Sequence, residues 1–262
     1  MALSKEIIKG IADELLEAER TLTPIVSLSD RHPDATYEDA YAIQMLNNEV
    51  REKRGARVVG AKVGFTSKAM QEQFNVSEPD SGVLFDYMIW REDTAVEIDS
   101  IISPRVEAEI AFVLGEDLKG PGVTAAEALR ATAGVMASIE VLDSRFKDWK
   151  VTIRDSMADD AEACGVVLGG GLVPLNGIDP RLIGVVFEKN GEVVSTGAGA
   201  AALGNPAEAL AWVANRFGRL GMKLKKDHVI ITGSLIRAVP AERGDSFRAT
   251  FGRIGSVGVR FV

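Results

Sequence analysis

The chain has 262 residues, 46% of them apolar and 26% charged, with a formal net charge of −8. This balance fits an ordinary globular protein and argues against nucleic acid or an anionic membrane as partner. A single cysteine, Cys164, and two histidines, His32 and His228, exclude a disulfide framework, a thiolate cluster and the His-Glu-x-x-His zinc pattern, so any metal site must rest on carboxylates.

The N-terminal segment is amphipathic and charged, without the apolar core of a signal peptide. No run is long enough to span a bilayer, so a cytoplasmic protein is expected. Residues 4–21 place Ile7, Ile8, Ile11, Leu15 and Leu16 on one helical stripe. Thr36 opens a second helix over 37–54, with Asp39 as its capping-box partner and Ala40, Ile43 and Val50 on its apolar side. A strand over 58–64, a short helix over 67–74 and a turn at Glu-Pro-Asp-Ser-Gly (78–82) follow. Beyond about residue 100 the texture becomes strands and turns. Pro-Arg-Val-Glu-Ala-Glu-Ile-Ala-Phe-Val (104–113) and Ala-Ser-Ile-Glu-Val-Leu-Asp (137–143) read as strands. Between them Thr124 and Glu127 box a helix that runs to about Thr132. Strands over 185–189 and 192–196 are joined by Asn190-Gly191, a strong hairpin signal. Asn205 and Pro206 start a helix that Gly221 ends, and strands over 228–232, 247–251 and 257–261 close the chain.

Helices first, then a strand-rich body with two inserted helices, predict an α+β fold with a mixed or antiparallel sheet. The expected division is an N-terminal helical/αβ region over 1–80 and a catalytic core over 81–262, together one compact unit. The glycine-rich stretch 197–204 lies between a strand and a helix. It lacks Gly-x-Gly-x-x-Gly spacing and reads as close backbone packing rather than a nucleotide site.

The chemistry concentrates in the acidic strands. Side chains of a strand alternate faces, so Glu107 and Glu109 point the same way, while Val106, Ala108 and Ile110 point the other. Carboxylates in so apolar a setting need a partner. With Glu140 from the second strand they make a ligand set for a hard divalent ion such as Mg²⁺ or Mn²⁺; the alternative is a solvated strand face. Lys62, on the strand over 58–64, is either a cation facing an anionic substrate or an edge-strand lysine. Asp80 alone reads as a turn residue. Arg145, just past the Glu140 strand, is expected to clamp a substrate carboxylate in bidentate fashion, or else to pair with Asp143. Cys164 reads as a small buried hydrophobe.

Taken together, these segments resemble the 2-hydroxypenta-2,4-dienoate (2-keto-4-pentenoate) hydratases and the sister 4-oxalocrotonate decarboxylases of the fumarylacetoacetate hydrolase fold superfamily. The likeness rests on Gly-Ala-Lys-Val-Gly-Phe-Thr-Ser-Lys-Ala-Met (60–70), the 78–82 turn, Pro-Arg-Val-Glu-Ala-Glu-Ile (104–110) and Glu-Val-Leu-Asp-Ser-Arg (140–145). It continues in the 197–204 stretch, Thr-Gly-Ser (232–234) and the C-terminal Gly-Ser-Val-Gly-Val-Arg-Phe (255–261), in the family's order. The resemblance implies a mixed β-roll core with a small N-terminal helical region. It implies Mg²⁺ or Mn²⁺ on Glu107, Glu109 and Glu140, acid–base or substrate-contacting roles for Lys62 and Asp80, and a place near the substrate for Ser234. It further implies a homo-oligomer that hydrates a 2-oxo or 2-hydroxy dienoate in aromatic meta-cleavage catabolism, and a possible complex with a sister hydratase or decarboxylase or a downstream aldolase.

Decarboxylation of a 2-oxo-3-hexenedioate on the same metal is the alternative. The hydratase form is favoured because decarboxylases tend to carry another residue where Asp80 stands. A third reading is an inactive partner that stabilises a sister enzyme. One departure bears on this. Where the family reads Asp-Asn-Ala-Ser, this chain has Asp159-Asp160-Ala161-Glu162. Two extra carboxyl groups weaken the binding of an anion unless they face away or meet a cation.

Overall fold

The computed structural model describes residues 2–74, 76–92 and 94–262. Ser4 caps helix α1 (Lys5–Thr21), accepting from the Ile7 N–H, and a left-handed Leu22 ends it. One turn, α2 (Leu28–Arg31), leads to α3 (Tyr37–Lys53), which begins at the expected Thr36–Asp39 capping box. Then come β1 (Val58–Gly64), α4 (Lys68–Phe74), β2 (Asp80–Phe85), β3 (Ile89–Arg91), β4 (Ala95–Val96), β5 (Arg105–Leu114), α5 (Ala125–Ala131) and β6 (Thr132–Leu142). The chain continues through α6 (Ile153–Ala158), β7 (Ala163–Val173), β8 (Gly184–Lys189), β9 (Glu192–Ala198) and α7 (Pro206–Arg219). It closes with β10 (Val229–Ile231), β11 (Val239–Pro240), β12 (Ser246–Phe251) and β13 (Gly255–Phe261).

Among the described residues the strands form two sheets. An eight-stranded sheet runs β2-β1-β10-β5-β6-β7-β3, with β11 added to β5; a five-stranded sheet runs β4-β13-β12-β8-β9. Both mix parallel and antiparallel pairs: β1 is parallel to β10 and antiparallel to β2, and β13 is parallel to β4 and antiparallel to β12. The architecture is the expected mixed α+β fold. The inward faces of β5, β6 and β7, with Val106, Ala108, Ile110, Ile139, Val141 and Val167, join Phe187, Phe247 and Phe261 of the second sheet in one core. Each of these valine, isoleucine and phenylalanine side chains contributes about 1.5–3 kcal/mol on burial.

The helices α1 and α3 have a core of their own. Ile11, Leu15, Leu28, Tyr41 and Ile43 pack on Phe146, Ile153 and Met157. The N-terminal region thereby backs the segment between β6 and β7. Gln44 ties that segment to the sheet, donating from Nε2 to Ser81 O at 2.8 Å and to Met157 O at 3.0 Å.

The short strands β3, β4 and β11 add to the sequence reading, and two longer stretches differ from it. Asp80 does not sit in a turn: it is the first residue of β2, opposite Gly64 of β1, and is fully buried. Helix α6 and the eleven-residue strand β7 were not anticipated.

Candidate active site

Strand register assembles the acidic centre. Glu107 of β5 lies directly opposite Glu140 of β6, and Glu109 lies opposite Ser138. Period-two alternation puts all three glutamates on one face. One oxygen from each falls within 4.8 Å of the others. Glu109 is held from a second direction. Its Oε2 accepts from the Gly233 N–H at 2.7 Å, and Gly233 adopts φ +102 with its α-carbon against Thr66.

The surrounding charges explain why the cluster calls for a cation. Burial, then Glu140, raises the Glu107 carboxyl to about 8. Burial, Glu140 and Glu107 push Glu109 well above the usual range. Lys62 reaches into the cluster, its Nζ 2.7 Å from Glu140 Oε1, and also donates a hydrogen bond to Ala161 O. Burial opposes the ammonium, but Glu140, Glu162 and Asp80 outweigh it and raise the Lys62 pKa. A hard divalent ion would favour the ionised form of the half-buried Glu107 and the buried Glu109 and Glu140, and this all-oxygen donor set suits such an ion.

Above the glutamates lies a cavity of about 680 Å³. Of the residues singled out from the sequence, Lys62, Asp80, Glu107, Glu140 and Ser234 border it. Glu109 sits deeper, 1% exposed. The Ser234 hydroxyl donates to Ile236 O at 2.8 Å and so shapes the wall. Burial raises Asp80 to about 6 against the opposing pull of Ser156 and Lys62, which places its titration near neutrality.

Arg145 does not border the cavity. Its guanidinium is buried against Asp159, with Nε 2.6 Å from Oδ1 and a terminal nitrogen 2.6 Å from the Asp159 carbonyl, and the other terminal nitrogen donates to Ala163 O. The expectation of a substrate clamp is corrected: β6 ends at Leu142, and the chain turns Arg145 behind the wall. The pairing with Asp143 considered from sequence gives way to Asp159.

The cationic side chains at the cavity besides Lys62 are Arg105 and Arg237, neither singled out from sequence. Arg105 lies over the Trp149 ring, 4.1 Å from its centroid. A signal was present, since Arg105 has the same strand parity as Glu107 and Glu109. Ser156 and Glu162 also border the cavity. Of the two extra carboxyls, Asp160 turns away and accepts from the Val83 N–H at 2.9 Å, whereas Glu162 turns inward.

Known proteins resemble this chain in sequence and fold. The chain is 41% identical over 260 residues to a 2-hydroxyhexa-2,4-dienoate hydratase of Comamonas testosteroni, covering 98% of each. It is 36% identical over 260 residues to a 4-oxalocrotonate decarboxylase of a Pseudomonas species, covering 99% of this chain and 98% of the relative. The solved 4-oxalocrotonate decarboxylase of Pseudomonas putida, complexed with magnesium and adipate, superposes with a TM-score of 0.95 at 35% identity over 99% of both chains. Residues 57–262 match the fumarylacetoacetate (FAA) hydrolase C-terminal family, and with the acidic centre and sheet order in place the chain belongs to that family.

Proposed function

We propose that this chain is a metal-dependent hydratase that adds water to a 2-hydroxy-2,4-dienoate and gives a 4-hydroxy-2-oxo acid. The observation that carries this reading is the convergence of Glu107, Glu109 and Glu140 beneath a cavity that also holds Lys62 and Asp80. The 41% identity to a dienoate hydratase over the whole chain supports it.

Glu107, Glu109 and Glu140 would hold Mg²⁺ or Mn²⁺. The bound ion would supply Lewis-acid polarisation of a substrate oxygen. The other roles fall to the protein's own groups. Lys62 holds Glu140 in place through their ion pair. Hydration needs one proton taken from water and others delivered to carbon, and Asp80, titrating at about 6, is suited to both. Arg105, stacked on Trp149, offers a guanidinium to a carboxylate entering the cavity.

A second reading has its own support. The solved relative with a TM-score of 0.95 is a decarboxylase holding a diacid, and Arg105 and Arg237 give this cavity cations for a distal carboxylate. Product analysis separates the two. Incubated with metal and 2-hydroxypenta-2,4-dienoate, the protein is expected to yield 4-hydroxy-2-oxopentanoate by proton NMR. It is expected to release no CO₂ from 2-oxohex-3-enedioate. CO₂ release with the dienoate untouched would replace the hydratase by the decarboxylase.

A further inference from the structure

Asp80, Ser156 and Glu162 form a chain along the cavity wall. Ser156 Oγ lies 2.5 Å from Asp80 Oδ2 and 2.7 Å from Glu162 Oε2, and all three residues are buried. A hydroxyl has one proton and donates one hydrogen bond. Its second short contact to a carboxyl oxygen must therefore be one that it accepts, and the carboxyl on that side must carry a proton. The arrangement holds one acid proton between Asp80 and Glu162, besides the hydroxyl's own.

The rest of Glu162 faces the cavity. Its Oε1 is buried and has no hydrogen-bond partner among the described residues. The backbone aims it there at a cost. Asp160, Ala161 and Glu162 have φ +54, +53 and +55, a left-handed run that non-glycine residues adopt only when their surroundings enforce it. The enforcing contacts come from Lys62, which donates to Ala161 O, and from Val83, whose N–H donates to Asp160 Oδ1.

We propose that Glu162 is a proton-relay residue, acting on Asp80 through the Ser156 hydroxyl. This rests on the hydration reading and adds to it. To protonate a substrate carbon, Ser156 passes its hydroxyl proton to Oδ2 of the ionised Asp80 while Glu162 Oε2–H replaces it on Ser156, and Asp80 then gives the proton it has gained to the carbon. When Asp80 takes a proton from the adding water, the same path runs backwards and Glu162 is reprotonated. The two O–H bonds broken along the path are matched by two formed, and the relay ends the cycle as it began. The charged groups facing Glu162 are Lys62 on β1, Asp80 on β2, Arg105 on β5 and Asp159 beside the turn. Burial, then Asp80 and Asp159, raises Glu162 to about 8, so near neutral pH the shared proton resides on Glu162 rather than on Asp80.

Glu162→Gln tests this on the full chain loaded with Mg²⁺, since glutamine keeps the length and the hydrogen bond but carries no acid proton. In infrared difference spectra at pH 7, wild type is expected to show the carbonyl stretch of a protonated carboxylic acid that the variant lacks. In kcat against pH with 2-hydroxypenta-2,4-dienoate, the wild type is expected to lose rate on the alkaline side as Glu162 ionises. The variant is expected to lose that limb, with kcat down about a hundredfold and KM within about twofold, the lower end of what acid–base groups contribute. A folded variant with wild-type kcat and an unchanged alkaline limb would overturn the relay, as would a wild type without the infrared band. If the glutamine variant does not fold, Ser156→Ala cuts the same path, and wild-type kcat there overturns it equally. Should wild type show the band but turn over no dienoate, the shared proton stands and the hydratase reading falls.

Discussion

Glu109 depends on a contact that only glycine allows. A β-carbon on Gly233 would lie 1.9 Å from Thr66 Oγ1, at a φ that side-chain-bearing residues rarely adopt. Gly233→Ala is expected to destabilise the fold by about 2 kcal/mol or more, read from the urea midpoint, and to weaken Mn²⁺ binding by loosening Glu109. Lys62→Met leaves Glu140 buried without its cation. The metal-free variant is expected to lose about 3–5 kcal/mol in the same measurement. Metal added to that variant is expected to restore part of the loss, because it supplies the missing positive charge. Strand parity placed Glu107 and Glu109 on one face, and Arg105 shares that parity, whereas the tie to Glu140 came from the family resemblance. Ser156 was not legible, because it lies on the unanticipated helix α6, and the inward aim of Glu162 was not, because it comes from a left-handed run that no local propensity favours.

At the scale of elements, α3 fixes the wall that carries Ser156. Gln44 bridges β2 and α6 from the buried side of α3, and Asp155 of α6 accepts from the Ser29 N–H at 2.9 Å and hydroxyl at 2.7 Å. Gln44→Leu removes two donated hydrogen bonds and leaves buried carbonyls unpaired. It is expected to cost about 1–3 kcal/mol and to raise amide hydrogen exchange in α6 above that in β5. Helix α1 was readable from its apolar stripe, α3, α5 and α7 from capping residues at their starts, and the Asn190-Gly191 hairpin from its turn residues. Strand β7 hid behind its glycines. Gly165 lies against Trp90 and Gly169 against Val257, so close that β-carbons there would approach within 2.4 Å. Those residues answer to a neighbouring sheet and strand rather than to β propensity.

For the molecule as a whole, the buried acids make stability depend on pH and on metal together. Glu162 and Glu107 are raised to about 8 and Asp80 to about 6, while unfolded carboxyls titrate at about 4. The native state therefore binds more protons than the unfolded chain, and this contribution is complete below about pH 4 and lost as pH rises through about 6 to 8. The metal-free protein is expected to have a lower urea midpoint at pH 8.5 than at pH 5.5. Divalent metal needs Glu107 and Glu109 ionised, so its binding at pH 7 is expected to release protons, seen as a binding heat that changes with the buffer's ionisation enthalpy.

The most direct measurement is the ultraviolet absorbance of 2-hydroxypenta-2,4-dienoate with purified protein, after EDTA treatment and again after adding Mg²⁺ or Mn²⁺, for wild type and Glu109→Gln. The expected result is loss of the dienoate only with wild type and metal, with turnover of the glutamine variant down by on the order of a hundredfold or more, beyond the effect of losing an outer-shell partner. Turnover that persists in EDTA, or that Glu109→Gln leaves undiminished, would contradict a metal-dependent hydratase built on these three glutamates.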